Sequence, residues 1–549
     1  MKAFIQFLRR ESPDFRASLV VLAVFAGVLN GLCVSIAIQT AKRMTPGQLQ
    51  IRSFLLYAIC IVLLWVTKGY VLNRTNRILE GIIRNLRFRI VEAIQSTSLL
   101  GFERLERGKI YAALSTDAIT LSGSAGTIIN ASAAVFMLLF VLVNLALLSG
   151  WVLVITIVSI GIAILLYIRR SSDLSEQLAQ SGSLENQLFE QLNDLMVGFK
   201  ELKLDRAKSR DFFNHGLWQI IDRTANLRTK AGATMNQAAL ISQTFLLCTI
   251  AGVVFLLPSL DPSAISSVAP AVAMILFAAG PLGDVVGGVP ALSRAQAAIQ
   301  NIENLERELA DHRSDLEVFA AKCAPVPESF VSLHCDLASF SYPSPKGKGF
   351  GLEPFNFSLK SGECVFVVGG NGSGKSTFLK LLTGLYTPDG GRILWNDRPV
   401  TADRLAAYRE LFTPIFSDFH IFNRVLGADP SYEPRLRQLL TRMDLAGKIE
   451  VQDNKLKMAG LSTGQRKRLA LALAQLAPHS VYIFDEWAAD QDPVFRRIFY
   501  TEILPEMKAN GFTVVAVTHD DHYFKFADRV VKMEYGRFLP GNHHTQAFS

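Results

Sequence analysis

Residues 364–382 read CVFVVGGNGSGKSTFLKLL, and this stretch determines how the second half of the chain folds. The apolar run Cys364–Val368 has the length and composition of a buried strand, and Phe378–Leu382 continues as an apolar helix. Between them, Gly369–Thr377 has the spacing G-x-x-x-x-G-K-[ST] in the order strand, loop, helix. The alternative interpretation, a turn-rich loop without a ligand, does not account for that order.

The loop Gly369–Thr377, called the phosphate loop below, has the composition that phosphate binding needs. Glycines let backbone N–H groups turn inward around phosphate oxygens, and the following helix adds the dipole of its N-terminus. We expect Lys375 to reach the β- and γ-phosphates of a nucleotide and Ser376 to bind Mg²⁺. The predicted binding residues are Gly369, Gly370, Asn371, Gly372, Ser373, Gly374, Lys375, Ser376 and Thr377.

A second apolar run, Val481–Phe484, ends in the two carboxylates Asp485 and Glu486. Asp485 is the predicted Mg²⁺ ligand, acting through water, and Glu486 is the predicted catalytic residue that polarises the attacking water. Many strands end in acids, so this signal is weak alone. It is strengthened by Leu461–Gln465 (LSTGQ), which lies upstream and opens a predicted helix, Arg466–Leu476.

The composition of the whole chain indicates a membrane protein. Of the 549 residues, 50% are hydrophobic and only 19% are charged, against about 25% charged in ordinary globular proteins. A disordered, collagenous or purely soluble chain is therefore excluded. The net charge of +8 fits either a nucleic-acid partner or basic loops beside a membrane. The six cysteines show neither C-x-x-C spacing nor the density of a disulfide framework.

Six long apolar runs predict six membrane-spanning helices, since about 20 residues cross the hydrocarbon core. They are Ala17–Ile38, Phe54–Leu72, Ile128–Leu148, Trp151–Ile168, Ala233–Leu257 and Ile265–Gly283. Basic residues fill the second and fourth connections, whereas the other three hold only Lys42, Arg43 and Arg52. By the positive-inside rule, the N-terminus, the two long connections and the C-terminal half are cytoplasmic. The chain is thus predicted to be a multi-pass protein of the cytoplasmic (inner) membrane, in contact with lipid, and a nucleic-acid partner is unnecessary.

The long connections are predicted to continue the spans as helices, because Ile78, Ile82, Leu86 and Ile90 recur at three- to four-residue spacing. Their turning points are expected near residues 101–108 and 205–214; solvated loops are the alternative. The predicted architecture is an α-helical six-span transmembrane domain (residues 1–316), a proline-containing linker (317–328) and an α/β P-loop nucleotide-binding domain (329–549).

At these motifs the chain resembles the ATP-binding cassette (ABC) transporters, whose signature is L-S-G-G-Q; here Thr463 replaces the first glycine. The resemblance implies that two cassettes stack head to tail, with ATP and Mg²⁺ between the phosphate loop of one and the signature of the other. It also implies an adenine-stacking role for Tyr342, a joining loop at 489–492 and a γ-phosphate contact for His519. The further ATP-binding residues it implies are Tyr342, Ser462, Gly464, Gln465 and Asp492, with His519 as a catalytic residue. Packing alone for Tyr342 and a core role for His519 are the alternatives.

One position departs from the family pattern. The family usually has a glutamine where this chain has Ser417, so the usual coupling ligand is absent unless Asp418 or water replaces it. The stretches Phe416–Phe422 and Thr518–Phe524 resemble the exporters of cyclic peptides and peptide siderophores, a group that includes the pyoverdine-precursor exporters of pseudomonads.

The function expected from these features is ATP-driven export of a peptide or peptide siderophore precursor by a homodimer with two composite ATP sites. Polar side chains at Asn236 and Gln243 share a helical face with Leu240, and Asp284 ends the sixth span; they either line a cavity or pack against other helices. The alternatives are a lipid flippase of the same architecture and a regulatory ATPase that its spans merely anchor.

Overall fold

A computed structural model describes residues 7, 10–11, 17–42, 50–313, 328–344, 347–429, 431–452, 454–458, 460–477 and 479–539. The chain divides into two compact units: residues 1–93 with 105–311, and residues 94–104 with 312–549. The segment 94–104, from the first long connection, thus groups with the nucleotide-binding part of the chain. Of the predicted linker 317–328, only Glu328 lies within the described residues.

The first unit is helical throughout its described part. Its α-helices are Ala17–Lys42, Ile51–Gln95, Arg107–Ala112, Ala118–Leu148, Gly150–Val197, Phe199–Leu204, Arg206–Asp211, Trp218–Ala251, Leu257–Leu260, Ile265–Phe277 and Ala279–Asp311. Short π-helical turns occupy Ala113–Asp117, Phe212–Leu217 and Gly252–Leu256, and a 3₁₀ turn occupies Pro262–Ala264. Several α-helices are much longer than a bilayer requires, so helical structure continues beyond the apolar spans, as predicted.

Within the described ranges, five helical segments are long and apolar enough to cross a membrane: Val21–Thr40, Ile51–Gln95, Arg107–Leu148, Arg206–Leu260 and Pro262–Asp311. The apolar segment Gly150–Leu166, which belongs to the helix Gly150–Val197, coincides with the predicted fourth span. The described residues therefore contain helices at all six predicted spans.

The predicted helical extension of the second span has the expected buried face. Ile78, Ile82, Leu86 and Ile90 are all buried, and they form one side of the helix Ile51–Gln95. The two long connections turn through short helices rather than loops, at 99–112 and 199–211, close to the predicted turning points. At the second turn, the Asp205 carboxylate accepts hydrogen bonds from the N–H groups of residues 207 and 208, which caps the next helix.

The second unit is an α/β domain. Its strands are β1 (Ser332–Ser344), β2 (Gly347–Lys360), β3 (Cys364–Val368), β4 (Gly390–Trp395), β5 (Arg398–Pro399), β6 (Phe412–Ile415), β7 (Ile449–Gln452), β8 (Lys455–Met458), β9 (Val481–Asp485), β10 (Thr513–Val517), β11 (Arg529–Glu534) and β12 (Arg537–Phe538). Its α-helices are Leu99–Arg104, Lys375–Leu382, Leu405–Arg409, Tyr432–Arg442, Thr463–Ala474, Pro493–Ile498 and Leu504–Ala509. A π-helical turn at Phe499–Ile503 and 3₁₀ turns at Trp487–Asp490 and Asp521–Phe526 complete the unit.

The strands of the described residues form three sheets. The main sheet has the order β12-β11-β3-β10-β9-β6 and is parallel except for β12; a four-stranded antiparallel sheet has the order β2-β1-β4-β5, and β7 pairs with β8. Side chains of β3 alternate between two cores, because successive residues of a strand point to opposite faces. Val365 and Val367 join one core, whereas Cys364 and Phe366 join the other. Burial on both faces explains why these strands read as continuous apolar runs.

The main sheet brings the predicted catalytic motifs together. β10 pairs in parallel with both β3 and β9, and Val517 is in register with Val367 on one side and with Asp485 on the other. The phosphate loop, Glu486 and His519 therefore all follow the carboxyl ends of three adjacent strands, which is where ligands bind in open parallel sheets.

Candidate nucleotide site

The phosphate loop has the backbone conformation that its glycines predict. Gly369 and Gly374 have φ values of +156° and +102°, and Gly374 immediately precedes the helix Lys375–Leu382. A Cβ at Gly369 would lie 2.2 Å from the carbonyl oxygen of Met533, so the loop requires glycine there for close packing. In the part of the chain that the structure describes, a Cβ at Gly370 or Gly372 would meet no atom within 4 Å, so these two positions border open space.

The polar atoms of the phosphate loop fit an anionic ligand. Lys375 is buried, and its Nζ donates to the carbonyl oxygens of Gly369 and Gly370 at 2.8 and 3.0 Å. The Oγ of Ser373 is buried and has no hydrogen-bond partner among the described residues. A buried hydroxyl that lacks a partner is costly, and a phosphate oxygen would satisfy it. The loop therefore presents a cation, a free hydroxyl and open space over its glycines.

The predicted magnesium ligands lie next to each other. Ser376 donates to Oδ2 of Asp485 at 3.2 Å, and the backbone N–H of Ser417 lies 3.4 Å from the same oxygen. Asp485 is almost fully buried, and this desolvation raises the pKa of its carboxyl above the ordinary value of 3.8. A hydroxyl and a carboxylate are oxygen ligands of the kind Mg²⁺ prefers, and phosphates and water usually complete its shell. The residues present thus fit Mg²⁺ bound together with a nucleotide.

Glu486 and His519 lie opposite each other at the end of the sheet. The Nε2 of His519 is 3.3 Å from Oε1 of Glu486, and the same carboxylate oxygen is 4.0 Å from Nζ of Lys375. Glu486 has a φ of +49°, a left-handed conformation that costs energy for any residue other than glycine. The strained backbone and the 36% exposure of the side chain leave the carboxylate accessible beside the phosphate loop.

The helix at the signature segment begins earlier in the chain than the sequence predicted. The helix is Thr463–Ala474, not Arg466–Leu476, because Ser462 and Gln465 form a reciprocal capping box at its N-terminus. The predicted ATP ligands Ser462, Gly464 and Gln465 thus surround the N-terminus of a helix. Gly464 is tightly packed, since a Cβ there would lie 2.6 Å from the carbonyl oxygen of Asp490.

The joining loop connects the signature helix with the catalytic strand. Lys467 is buried; its Nζ lies 2.7 Å from Oδ2 of Asp490 and donates to the carbonyl oxygen of Glu486, also at 2.7 Å. Asp492 accepts the N–H of Phe495 and so caps the next helix, and it lies 3.5 Å from Nη2 of Arg468. In this chain the Asp492 side chain is therefore occupied by contacts with its own unit.

Tyr342 lies on β1 next to the phosphate loop. Its ring packs edge-on against Phe340, with centroids 5.1 Å apart, and its hydroxyl is 3.3 Å from Oγ1 of Thr377. The side chain is half-buried, so part of the ring is accessible to a nucleotide base.

The structure separates the predicted site residues into two groups. The phosphate loop, Asp485, Glu486, His519 and Tyr342 lie around one site. Ser462 and Gln465 instead bond to each other, and Gly464 accepts a hydrogen bond from Gln491 of the joining loop; among the described residues no hydrogen bond or ion pair links these three to the phosphate loop. The sequence did not predict the buried Lys467 as a residue of the site. Its position just after the signature, upstream of two acids at the end of a strand, was the signal that could have indicated it.

Comparison with known proteins identifies relatives for both units. Residues 352–489 match the family model described as ABC transporter. Over 472 residues the chain is 32% identical to the ATP-binding protein SyrD of Pseudomonas syringae pv. syringae, covering 83% of this chain and 82% of that protein. It is 29% identical over 213 residues to the macrolide export ATP-binding/permease protein MacB of Shewanella sp. (strain W3-18-1), covering 36% of this chain and 32% of MacB.

A solved structure, described as a bacterial Atm1-family ABC exporter with ATP bound, has the same fold. The TM-score is 0.74 with 18% sequence identity, and the match covers 98% of this chain and 96% of that one. The likeness extends over the helical unit as well as the α/β unit, so both have counterparts in one known architecture.

Proposed function

The chain belongs to the ABC transporter family, and on that premise we propose that two copies form an ATP-driven exporter of a peptide-like molecule. It is a multi-pass protein of the inner membrane with a cytoplasmic ATP-binding unit. The observation that carries the proposal is the edge of the main sheet, where Lys375 lies 4.0 Å from Glu486 and Ser376 lies 3.2 Å from Asp485. The membrane spans and the ATP site belong to the same chain, so ATP hydrolysis serves a process at the membrane.

In the proposed reaction the polar groups of the site either bind the phosphates or act on the attacking water. The phosphate-loop N–H groups and Lys375 bind the β- and γ-phosphates, and Mg²⁺ held by Ser376 and, through water, by Asp485 would neutralise their charge. Glu486 orients the attacking water and accepts its proton. His519, 3.3 Å from that carboxylate, holds its position and contacts the γ-phosphate.

We infer that a second copy of the chain completes the ATP site. A phosphate loop alone leaves one side of the nucleotide uncovered, and the family places a signature segment there. The described contacts of Ser462 and Gly464 are with their own unit, which leaves the helix N-terminus at Thr463 available to a phosphate from another copy. A chain with one cassette therefore needs a partner, and an identical chain supplies it.

The proposed cargo is a peptide or peptide siderophore precursor. The resemblance at Phe416–Phe422 and Thr518–Phe524 favours this class, and the helix Trp218–Ala251 supports transport. Its residues Asn236, Leu240 and Gln243 are exposed within the helical unit, on the face opposite the buried Ala231 and Ala238. Amide side chains at membrane depth are costly against lipid, so this face suits a polar cavity or a second copy.

A secretion experiment tests this proposal. Deletion of the gene should remove one peptide from the culture medium and leave its precursor in the cells; wild-type protein should restore secretion, whereas Glu486→Gln protein should not. The purified chain in lipid vesicles should show ATPase activity stimulated by the accumulated precursor. Unchanged secreted peptides together with stimulation by phospholipid alone would support the flippase. Full complementation by the Glu486→Gln protein would show that secretion does not depend on ATP hydrolysis and would contradict ATP-driven export.

A further inference from the structure

The first long connection contributes a short helix, Leu99–Arg104, to the compact unit that holds the nucleotide site. Leu99 and Leu100 pack against the core that contains the helix of the phosphate loop. Gly101 is buried, and a Cβ there would lie 2.5 Å from Cβ of His312. The helix is thus closely fitted to the α/β unit.

Glu103 provides the polar contact of this helix. Its Oε2 accepts a hydrogen bond from the hydroxyl of Tyr386 at 2.6 Å, and its Oε1 accepts one from Nζ of Lys380 at 2.7 Å. The Lys380 ammonium also lies 5.3 Å from the centre of the Tyr386 ring. Both partners are near the proposed nucleotide site: Lys380 is on the helix that starts in the phosphate loop, and Tyr386 follows that helix by four residues.

Tyr386 connects Glu103 to Tyr342. The Tyr342 hydroxyl donates to the Tyr386 hydroxyl at 3.3 Å and lies 3.3 Å from Oγ1 of Thr377. Because Tyr342 donates its proton to Tyr386, Thr377 must be the donor of its own contact. The hydroxyls of Thr377, Tyr342 and Tyr386 therefore form one directed series that ends at the Glu103 carboxylate.

The geometry of this series depends on the Tyr342 ring. The two contacts of its hydroxyl, at 3.3 Å each, are long for O–H···O bonds, whereas the final link to Glu103 is short at 2.6 Å. Phe340 holds the Tyr386 ring in a stacked arrangement with centroids 4.7 Å apart. The exposed side of the Tyr342 ring is thus the adjustable element, and a base stacked on it would set the position of its hydroxyl.

We propose that Tyr386 and Glu103 are positioning residues that report adenine binding at Tyr342 to the helix Leu99–Arg104. The proposal rests on the proposed function, because it needs Tyr342 to stack on adenine. It assigns different effects to the two parts of ATP: the phosphates bind in the phosphate loop, and the base changes the helix Leu99–Arg104. If Glu103 only anchored the helix, the helix would not respond differently to the base and to the phosphates of ATP.

The test compares two ligands on the full chain in lipid nanodiscs, with Glu486→Gln present to prevent hydrolysis. Hydrogen exchange of the amides at 99–104 is measured with Mg-ATP and with Mg-tripolyphosphate, which lacks the base, each at a concentration that fully protects the phosphate loop. We expect ATP to slow amide hydrogen exchange in the helix Leu99–Arg104 several-fold and tripolyphosphate to leave that exchange unchanged. Equal effects of both ligands would overturn the proposal.

Matched variants separate this mechanism from simple anchoring. Tyr386→Phe removes the linking hydroxyl and keeps the ring, so the ATP effect at 99–104 should be lost while protection of the phosphate loop remains. The control Tyr432→Phe removes a hydroxyl that bonds Asn454 elsewhere on the unit, and it should retain the effect. Persistence of the ATP effect in Tyr386→Phe would contradict the proposal.

A last variant distinguishes failure of this inference from failure of the proposed site. Tyr342→Ala should weaken ATP binding without changing tripolyphosphate binding. If the two affinities are unchanged, adenine does not stack on Tyr342 and that part of the proposed function is wrong. If ATP binding weakens but Tyr386→Phe has no effect at 99–104, only the reporting role is wrong.

Discussion

Replacing Glu486 by glutamine should remove the catalytic base and leave the fold unchanged. Glutamine has nearly the same shape, retains an amide oxygen at the position 3.3 Å from Nε2 of His519, and pays the same cost at φ +49°. A positioned general base contributes about 10²–10⁴ in rate, which is about 2.7–5.4 kcal/mol of barrier at 1.36 kcal/mol per tenfold. We therefore expect turnover at least about 10²-fold below wild type, with an unchanged unfolding temperature.

The affinity for ATP should rise in the Glu486→Gln protein, whereas its turnover falls. The Glu486 carboxylate lies 4.0 Å from Nζ of Lys375 and competes with a phosphate for that ammonium. At this distance the attraction is about 1 kcal/mol in water, and the exposure of Glu486 favours that lower limit. Loss of the charge should thus tighten ATP binding by up to about fivefold and trap an ATP-bound dimer.

The measurements are ATP turnover by purified full-length protein in nanodiscs and equilibrium binding of ATP to the same samples. Glu534→Gln is the matched control, because Glu534 is similarly exposed, at 42%, and pairs with Lys532 at 2.7 Å on β11, which β3 and β10 separate from β9. It should retain wild-type turnover and affinity. Turnover of the Glu486→Gln protein within about threefold of wild type would refute the assignment of the base, since that is well below the expected effect.

Three further substitutions test the site. Lys375→Ala should abolish tight ATP binding, measured by equilibrium dialysis, because it leaves phosphate charge unpaired; wild-type affinity would contradict the role of the phosphate loop. Ser417→Gln places the family's usual side chain beside Asp485 and should change basal ATPase, whereas Ser417→Ala should have a smaller effect; identical rates in both would mean that the position is idle. Asp485→Asn should abolish Mg²⁺-dependent hydrolysis yet stabilise the ligand-free protein. Burial raises the pKa of the Asp485 carboxyl, so the free energy of unfolding falls as pH rises above 3.8 through the folded-state pKa. Thermal melts over a pH series should therefore show a smaller change of unfolding temperature with pH in Asp485→Asn than in wild type. An equal change in both proteins would contradict this.

Much of the fold could be predicted because the periodicity of apolar residues depends only on local geometry. Ile78, Ile82, Leu86 and Ile90 follow one face of a helix and are buried. The strands β3 and β9 are nearly the apolar runs read from the sequence, since both their faces are covered. Parallel pairing then brings Asp485 and the phosphate loop to one edge, and this follows from topology alone.

Other features depend on contacts between distant residues and could not be read from local patterns. The contact of Glu103 with Tyr386 joins positions 283 residues apart. Lys467 is a charged residue in a polar sequence, and charged side chains are rarely buried unless paired; its partners become evident only when the joining loop folds over it. The early start of the signature helix, in contrast, was readable, because Ser462 and Gln465 have the spacing of a capping box.

The central claim is that a second copy completes each ATP site, and a complementation measurement tests it most directly. All chains carry Glu486→Gln to prevent hydrolysis. One population also carries Lys375→Ala, which disables its phosphate loop; the other also carries Ser462→Arg, which disables its signature. Each population alone should retain no ATP after gel filtration, because every site in it has one disabled half. Mixed dimers, identified by two affinity tags, contain one site with both halves intact and should retain about one ATP each. Mixed dimers that retain none, or Ser462→Arg protein that retains ATP by itself, would contradict the account.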